Sequence, residues 1–293
     1  MTLTLSKVMA RAWREMGFSI DILATGGSAT TIVDTNTQYT SDDSLLGGTA
    51  IVVRDAGGAG ASPEGKFARI TDFVASTKTF TIDTVTDAVA SGDAVLLATP
   101  RIKLPQMIQA VNDGLSNLGT ISLVDTSLTS AAAQTEYALP VALKIKRLLD
   151  VQYLTHLNDT NDNRYRSIMG ETSYVPAAPG STGLLILPQL PASRTIKIIY
   201  EGVHPVLSAY SDVVSETIQE ELAVAAAIDK ALTWYVSKRG DSALGTFTIQ
   251  RWNDAKQTLQ MQKADKPVYR MKPKTKWFVA DKPNAVYPKE YIP

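Results

Sequence analysis

Hydrophobic and polar positions change their period several times along the 293 residues. Near the N-terminus, Leu5, Val8, Ala12 and Met16 recur at intervals of three and four. That spacing predicts an amphipathic helix over 4–17, with Thr4 at its start and Gly17 closing it. From about Asp21 to Thr99 the period falls to two. The runs ATTIVD, GGTAIVVRD, KFARITDF, KTFTIDT and DAVLLA stand between clusters of Gly, Ser, Thr and Asp. They predict five strands of a small β-barrel or sandwich, inserted between helices. Helical spacing returns at Leu104. Pro105 suits a first turn, and Leu104, Ile108, Val111, Leu115 and Leu118 form one stripe ahead of Gly119.

The stretch 120–145 lacks either period and is expected to be mostly irregular. Beyond it, RLLDVQYL, RYRSIMGETSY, GLLILP and RTIKIIYEG, divided by NDTNDN, PAAPGST and QLPAS, predict an antiparallel meander. The longest helix follows. Ser215 is the expected cap, Glu216, Glu220 and Glu221 load the first turns, and Lys238, Arg239 and Gly240 end it. Ile218, Leu222, Ala225, Ile228, Leu232 and Tyr235 trace its buried face. The Ala-rich run AVAAAIDKAL signals close helix packing, either within the subunit or against a neighbour. A further helix over 246–263 carries Trp252, Ala255 and Leu259 and must stop before Pro267, giving an αα-hairpin. The fold class expected is α+β. Its parts are a helical core with a β meander (1–20 and 100–262), an inserted β domain (21–99) and an extended C-terminal arm (263–293).

The arm changes the picture most. Prolines at 267, 273, 283, 288 and 293 exclude a continuous helix, yet Tyr269, Trp277, Phe278, Tyr287, Tyr291 and Ile292 are residues that water does not favour. The whole chain balances 29 basic against 29 acidic residues. From Lys263 onward, however, eight Lys/Arg face three acids, a net of about +5, while the first 262 residues carry 21 against 26, about −5. An extended arm with rings at intervals and low ordering entropy fits a segment that docks, its aromatics as anchors. The charge is modest for a dedicated nucleic-acid arm.

Candidate chemistry is thin. Cysteine is absent and there are two histidines, His156 and His204, neither with a partner at a recognisable catalytic spacing. Residues 60–66, GASPEGK, fit the spacing of a phosphate-binding loop. Phe67 stands where a hydroxyl should bind magnesium, Pro63 removes an N–H donor, and the following residues alternate like a strand. A hairpin loop is the expectation. NDTNDN resembles the start of a calcium loop, but Arg164 replaces the turn glycine and Gly170 the closing acid, so it reads as a turn. Glu220 and Glu221 are adjacent on a helix, about 100° apart, and form no carboxylate dyad. No catalytic, cofactor or metal residue is predicted. No run approaches the ~18 apolar residues of a membrane span, and the N-terminus lacks a signal-peptide core. A soluble, non-enzymatic protein of a reducing compartment is expected.

The order of parts resembles the head-to-tail adaptor (connector) proteins of tailed bacteriophages. The helix LPQMIQAVNDGLSNLG, the phrase TSLTSAAAQTEYALP and the long helix after HPVLSAYSDVVSETIQEELAVAAAIDKAL carry the resemblance. GGTAIVVRDAGG, GKFARITDF, STKTFTID and VASGDAVLL resemble the small β domains of phage neck and tail proteins. The resemblance implies a virion protein, made in the host cytoplasm, that forms a homo-oligomeric ring, most often twelvefold. Such a ring sits between portal protein and tail, nozzle or fibre proteins, and DNA passes through it without sequence-specific contact. It implies that the arm binds the portal or a neighbouring subunit through Tyr269, Arg270, Lys274, Lys276, Trp277, Phe278, Tyr287, Tyr291 and Ile292. It implies, too, that Ile218, Leu222, Ala225, Ala226 and Leu232 pack subunits around the ring. The competing expectation is a tail, fibre or decoration protein whose β domain binds a receptor or carbohydrate, although 21–99 holds only Tyr39, Phe67, Phe73 and Phe80 as rings.

Overall fold

The computed structural model describes residues 2–140, 143, 145–155, 164–176, 182–239, 246–265 and 268. They fall into two compact units, one from Met1–Ile121 with Val203–Arg270, the other from Ser122–Gly202. The fold is α+β, and the sheets are antiparallel. The grouping differs from that expected from texture. The 21–99 segment is compact with the helices, and the 122–202 strands form the separate unit.

Among the described residues four helices lie in the first unit: α1 (Leu5–Met16), α2 (Leu104–Asn117), α3 (Glu220–Arg239) and α4 (Thr246–Asp265). Gly17 closes α1 at φ +67°, in the left-handed region that favours glycine, and its N–H reaches the Arg14 carbonyl at 2.9 Å. α3 is the central helix, in contact with α1, α2 and α4. Residues 222–228 are all buried, so the helix is covered on every side rather than along one stripe. Its start lies five residues beyond Ser215. That serine instead holds a separate turn: its carbonyl accepts from the Ile218 N–H at 2.9 Å, and its hydroxyl bonds the Thr217 hydroxyl.

Seven strands form the sheet of this unit: β1 (Ser19–Leu23), β2 (Gly26–Gly27), β3 (Thr31–Val33), β4 (Thr49–Arg54), β5 (Phe67–Val74), β6 (Thr79–Ile82) and β7 (Ala94–Ala98). Their order is β1-β7-β4-β5-β6-β3-β2. The five expected strands are β3 to β7. The barrel is not realised, since no ladder joins the edge strands β1 and β2. The sheet is nonetheless rolled. Its two edges follow one another in the chain across Ala24 and Thr25, whose N–H groups bond Asp93 O at 2.9 Å and Val33 O at 2.7 Å. Register shifts at Val52/Arg54 and Ile70/Asp72 supply bending. Both halves close on one core, with Val52, Val95 and Leu97 from one side and Ile32, Phe80 and Ile82 from the other. Phe73 and Phe80 stack at 4.3 Å, and Tyr39 meets both rings edge-on. The alternate residues Ile51, Leu96 and Ala98 are also buried, and α1 packs on β4 and β1. Burial on both faces of β4 and β7 is what joins this sheet to the helices.

The second unit holds β10 (Arg147–Leu154), β11 (Tyr165–Ser167) and β14 (Thr195–Gly202) with β8 (Ile121–Thr129), in the order β11-β10-β14-β8. A second sheet pairs β12 (Ser173–Val175), β13 (Leu184–Ile186) and β9 (Glu136–Ala138), in the order β12-β13-β9. Tyr137, Leu185, Val151, Ile196 and Ile198 from the two sheets share one core. The expected single meander is thus two sheets, and the stretch thought irregular supplies β8 and β9. β8, ISLVDTSLT, is an edge strand with mostly half-exposed, hydroxyl-rich side chains and so carries little apolar alternation.

Candidate interaction surfaces

The expected arm residues Tyr269, Arg270, Lys274, Lys276, Trp277, Phe278, Tyr287, Tyr291 and Ile292 lie outside the described residues, as do NDTNDN and His156. The expected subunit-packing residues are all described. Ile218, Leu222, Ala225, Ala226 and Leu232 are at most 4% exposed, inside the chain's own unit. Gly114 of α2 comes so close that a Cβ there would stand 2.7 Å from the Ala226 carbonyl oxygen. The Ala-rich run therefore packs closely within the chain's own unit.

The phosphate-loop lookalike is the β4–β5 hairpin. Lys66 is buried and donates to the Asp87 carboxylate and to the hydroxyls of Thr86 and Ser62. The Lys66 bond, followed by that from Ser62, holds the Asp87 carboxyl below its usual range. The Glu64 carboxylate takes the Gly60 N–H at 2.9 Å. The loop's lysine and a backbone donor are thus engaged within the hairpin, and Phe67 opens a strand where a phosphate site needs a helix N-terminus.

Glu220 and Glu221 tie α3 to α1. Arg11 Nη1 sits 2.9 Å from Glu220 and 4.0 Å from Glu221, while its Nε bonds Glu15 at 2.8 Å. These groups are more than a third exposed, so each pair contributes only a fraction of a kcal/mol. Among the described residues no group of three His, Asp or Glu side chains could hold a metal ion, and no helix is long and apolar enough to cross a membrane.

His204 has a structural post. Its Nδ1–H donates to the Pro205 carbonyl at 2.7 Å, and Nε2 accepts the Ser215 N–H at 3.0 Å. This pattern requires the neutral ring. Burial pushes its pKa below the usual histidine value, against a smaller upward pull from the Pro205 carbonyl. A base whose folded-state pKa is depressed contributes stability that is complete above its unfolded pKa, about 6.5, and lost as pH falls from there toward the folded value. We expect urea unfolding to show a stability loss between pH 7.5 and 5.0 that is smaller in His204→Asn, where nothing at this position can charge. Equal losses in both proteins would remove His204 from the account.

Three surface features remain. A cavity of about 180 Å³ lies between the start of α1, the β4–β5 hairpin and Tyr210. Helix α4 has no buried residue among its described side chains. Ile249, Trp252, Ala255 and Leu259 are only half-buried, with the Trp252 Nε1–H on Thr233 Oγ1 at 3.1 Å and Lys256 over the indole ring. A cavity of about 670 Å³ is the seam of the rolled sheet, between β1 and residues 34–39. Its β1 wall went unforeseen, although Phe18–Leu23 alternates with period two and that signal was readable. The sequence matches no model of a known protein family, and no curated protein matches it.

Proposed function

We propose that this chain is a structural protein of the phage neck, a head-to-tail adaptor that forms a twelvefold ring between portal and tail and extends the DNA channel. The observation that carries the reading is the C-terminal hairpin and its continuation. α4 offers apolar positions that the chain covers only in part, and it leads directly into a proline-stiffened segment bearing five aromatic rings and a net positive charge. Such a segment gains little in water and much against another polypeptide. The order of helices and the phrases quoted above support the same class. With the face of α3 occupied internally, subunit contacts in this reading pass to α4 and the arm. Its role involves no chemistry and no cofactor.

The β module is less suited to the receptor-binding alternative. Phe73 and Phe80 are fully buried and Tyr39 packs against them, which leaves few rings free to stack on a sugar.

Deleting residues 266–293 leaves α4 whole and tests the reading. The full chain should bind portal particles and assemble on them, and the truncated chain should bind at least tenfold more weakly in a sedimentation or mass-photometry assay. A full-length protein that stays monomeric and also ignores portal particles would refute the adaptor role.

A further inference from the structure

We infer that the seam of the rolled sheet seats an added β-strand, and that the strand is the run 274–282 from the arm of a second copy. This deepens the adaptor reading and rests on it for the assembled ring.

The seam has the chemistry of an unfinished ladder. Thr99 N–H bonds the Phe18 carbonyl at 2.8 Å and Ala24 N–H bonds the Asp93 carbonyl at 2.9 Å, so the even-numbered residues from 18 to 24 face β7. The N–H and C=O of Ser19, Asp21 and Leu23 point the other way, and among the described residues no hydrogen bond reaches them. Two apolar side chains of this edge are exposed as well, Ile20 at 39% and Leu23 at 59%. An edge of this kind, with its backbone groups unpaired, is a template for strand addition.

The facing wall is held in place. Lys78 Nζ donates to the carbonyls of Thr37 and Tyr39, each at 3.1 Å, and the Tyr39 ring leans on Phe73 and Phe80. Thr37 lines the seam, is only 8% exposed, and its hydroxyl has no hydrogen-bond partner.

Three features select the occupant. A strand in this seam must contribute N–H groups, which proline lacks. In the arm, residues 274–282 form a nine-residue run free of proline between Pro273 and Pro283. That run, KTKWFVADK, is rich in β-favouring residues, with Thr275, Trp277 and Val279 alternating against Lys276, Phe278 and Ala280. It carries Lys274, Lys276 and Lys282 against one acid, opposite in sign to the net of about −5 on the first 262 residues. Insertion of each arm into the next copy's seam is a head-to-tail contact, the kind that closes into a ring.

The absence of cysteine makes the test unambiguous. Full-length Leu23→Cys protein is mixed, under mild oxidation, with full-length proteins carrying one cysteine at each position from 275 to 280. Cross-linked dimers should form at alternate positions at least tenfold faster than at the positions between. Phe278→Pro, which leaves the body of the protein untouched, should abolish them. Asp21→Pro, placed in the Leu23→Cys protein, should do the same, since it removes an N–H on the seam side without breaking the β7 ladder. Uniform or absent cross-linking between copies overturns the assignment, and so does cross-linking confined to a chain bearing both cysteines. Should cross-links fail while arm deletion still weakens portal binding, the adaptor reading stands and the strand seat falls. Periodic cross-links in a protein that ignores portal particles would give the reverse.

Discussion

Replacing Trp13 with alanine is expected to destabilise the helical unit by about 3–5 kcal/mol, the usual cost of emptying a fully buried Trp site. Trp13 has no exposed surface, and it belongs to the helix that touches α2 and α3 as well as β1 and β4. A void there weakens the layer through which the sheet and the helices share a core. Urea unfolding followed by circular dichroism reads the effect as a lower midpoint at unchanged slope. Trp13→Phe should cost less than half as much. The indole N–H is buried without a hydrogen-bond partner, so phenylalanine keeps most of the apolar volume and removes an unsatisfied donor. A midpoint for Trp13→Ala within error of the parent would mean that α1 is not part of the cooperative core.

Gly114→Ala is the second large effect, and its sign opposes helix propensity. Alanine in a helix interior is favoured over glycine by about 1 kcal/mol. At this position, however, the new Cβ would meet the Ala226 carbonyl oxygen at 2.7 Å, its carbon at 2.8 Å and the Ala227 nitrogen at 3.0 Å. All three are backbone atoms of α3, which no rotamer change can move aside. α2 and α3 must separate, and the strain of overpacking, about 1–3 kcal/mol, outweighs the propensity gain. The melting temperature should fall with Gly114→Ala and fall further with Gly114→Val. A rise with alanine would show that the helices slide apart freely, and the close approach would then not be a fixed feature of the unit.

The position of Gly114 also shows where reading along the chain stops. The stripe Leu104, Ile108, Val111, Leu115 identified α2 and its ends to within a residue, because capping residues and the 3.6 period are local properties. Nothing local marks Gly114 as the point of closest approach, since a glycine's neighbour across an interface is set by the other helix. The Ala-rich segment of α3 has the same ambiguity. Small residues report close packing, but the identity of the partner, here α2 of the same chain, is a property of the assembled core.

The strands divide along similar lines. Runs such as KFARITDF and RTIKIIYEG became β5 and β14 because a half-buried strand writes its alternation into the sequence. β8 was not seen, because an edge strand with few apolar side chains leaves little alternation to read. The decoy character of GASPEGK was legible from Phe67 and Pro63 alone. The burial of Lys66 against Asp87 was not, since those two residues are 21 positions apart and meet only when the hairpin folds over.

By itself, the sequence determined the four helices, most of the strands, the want of cysteine and the unusual make-up of the arm, all consequences of side-chain period, composition and capping near each residue. Tertiary structure alone decided that the β module shares a core with the helices, that α3 is enclosed within its own chain, and that the rolled sheet stops short of closure beside β1. Those outcomes depend on which surfaces meet, a matter of long-range shape and burial that no local pattern encodes.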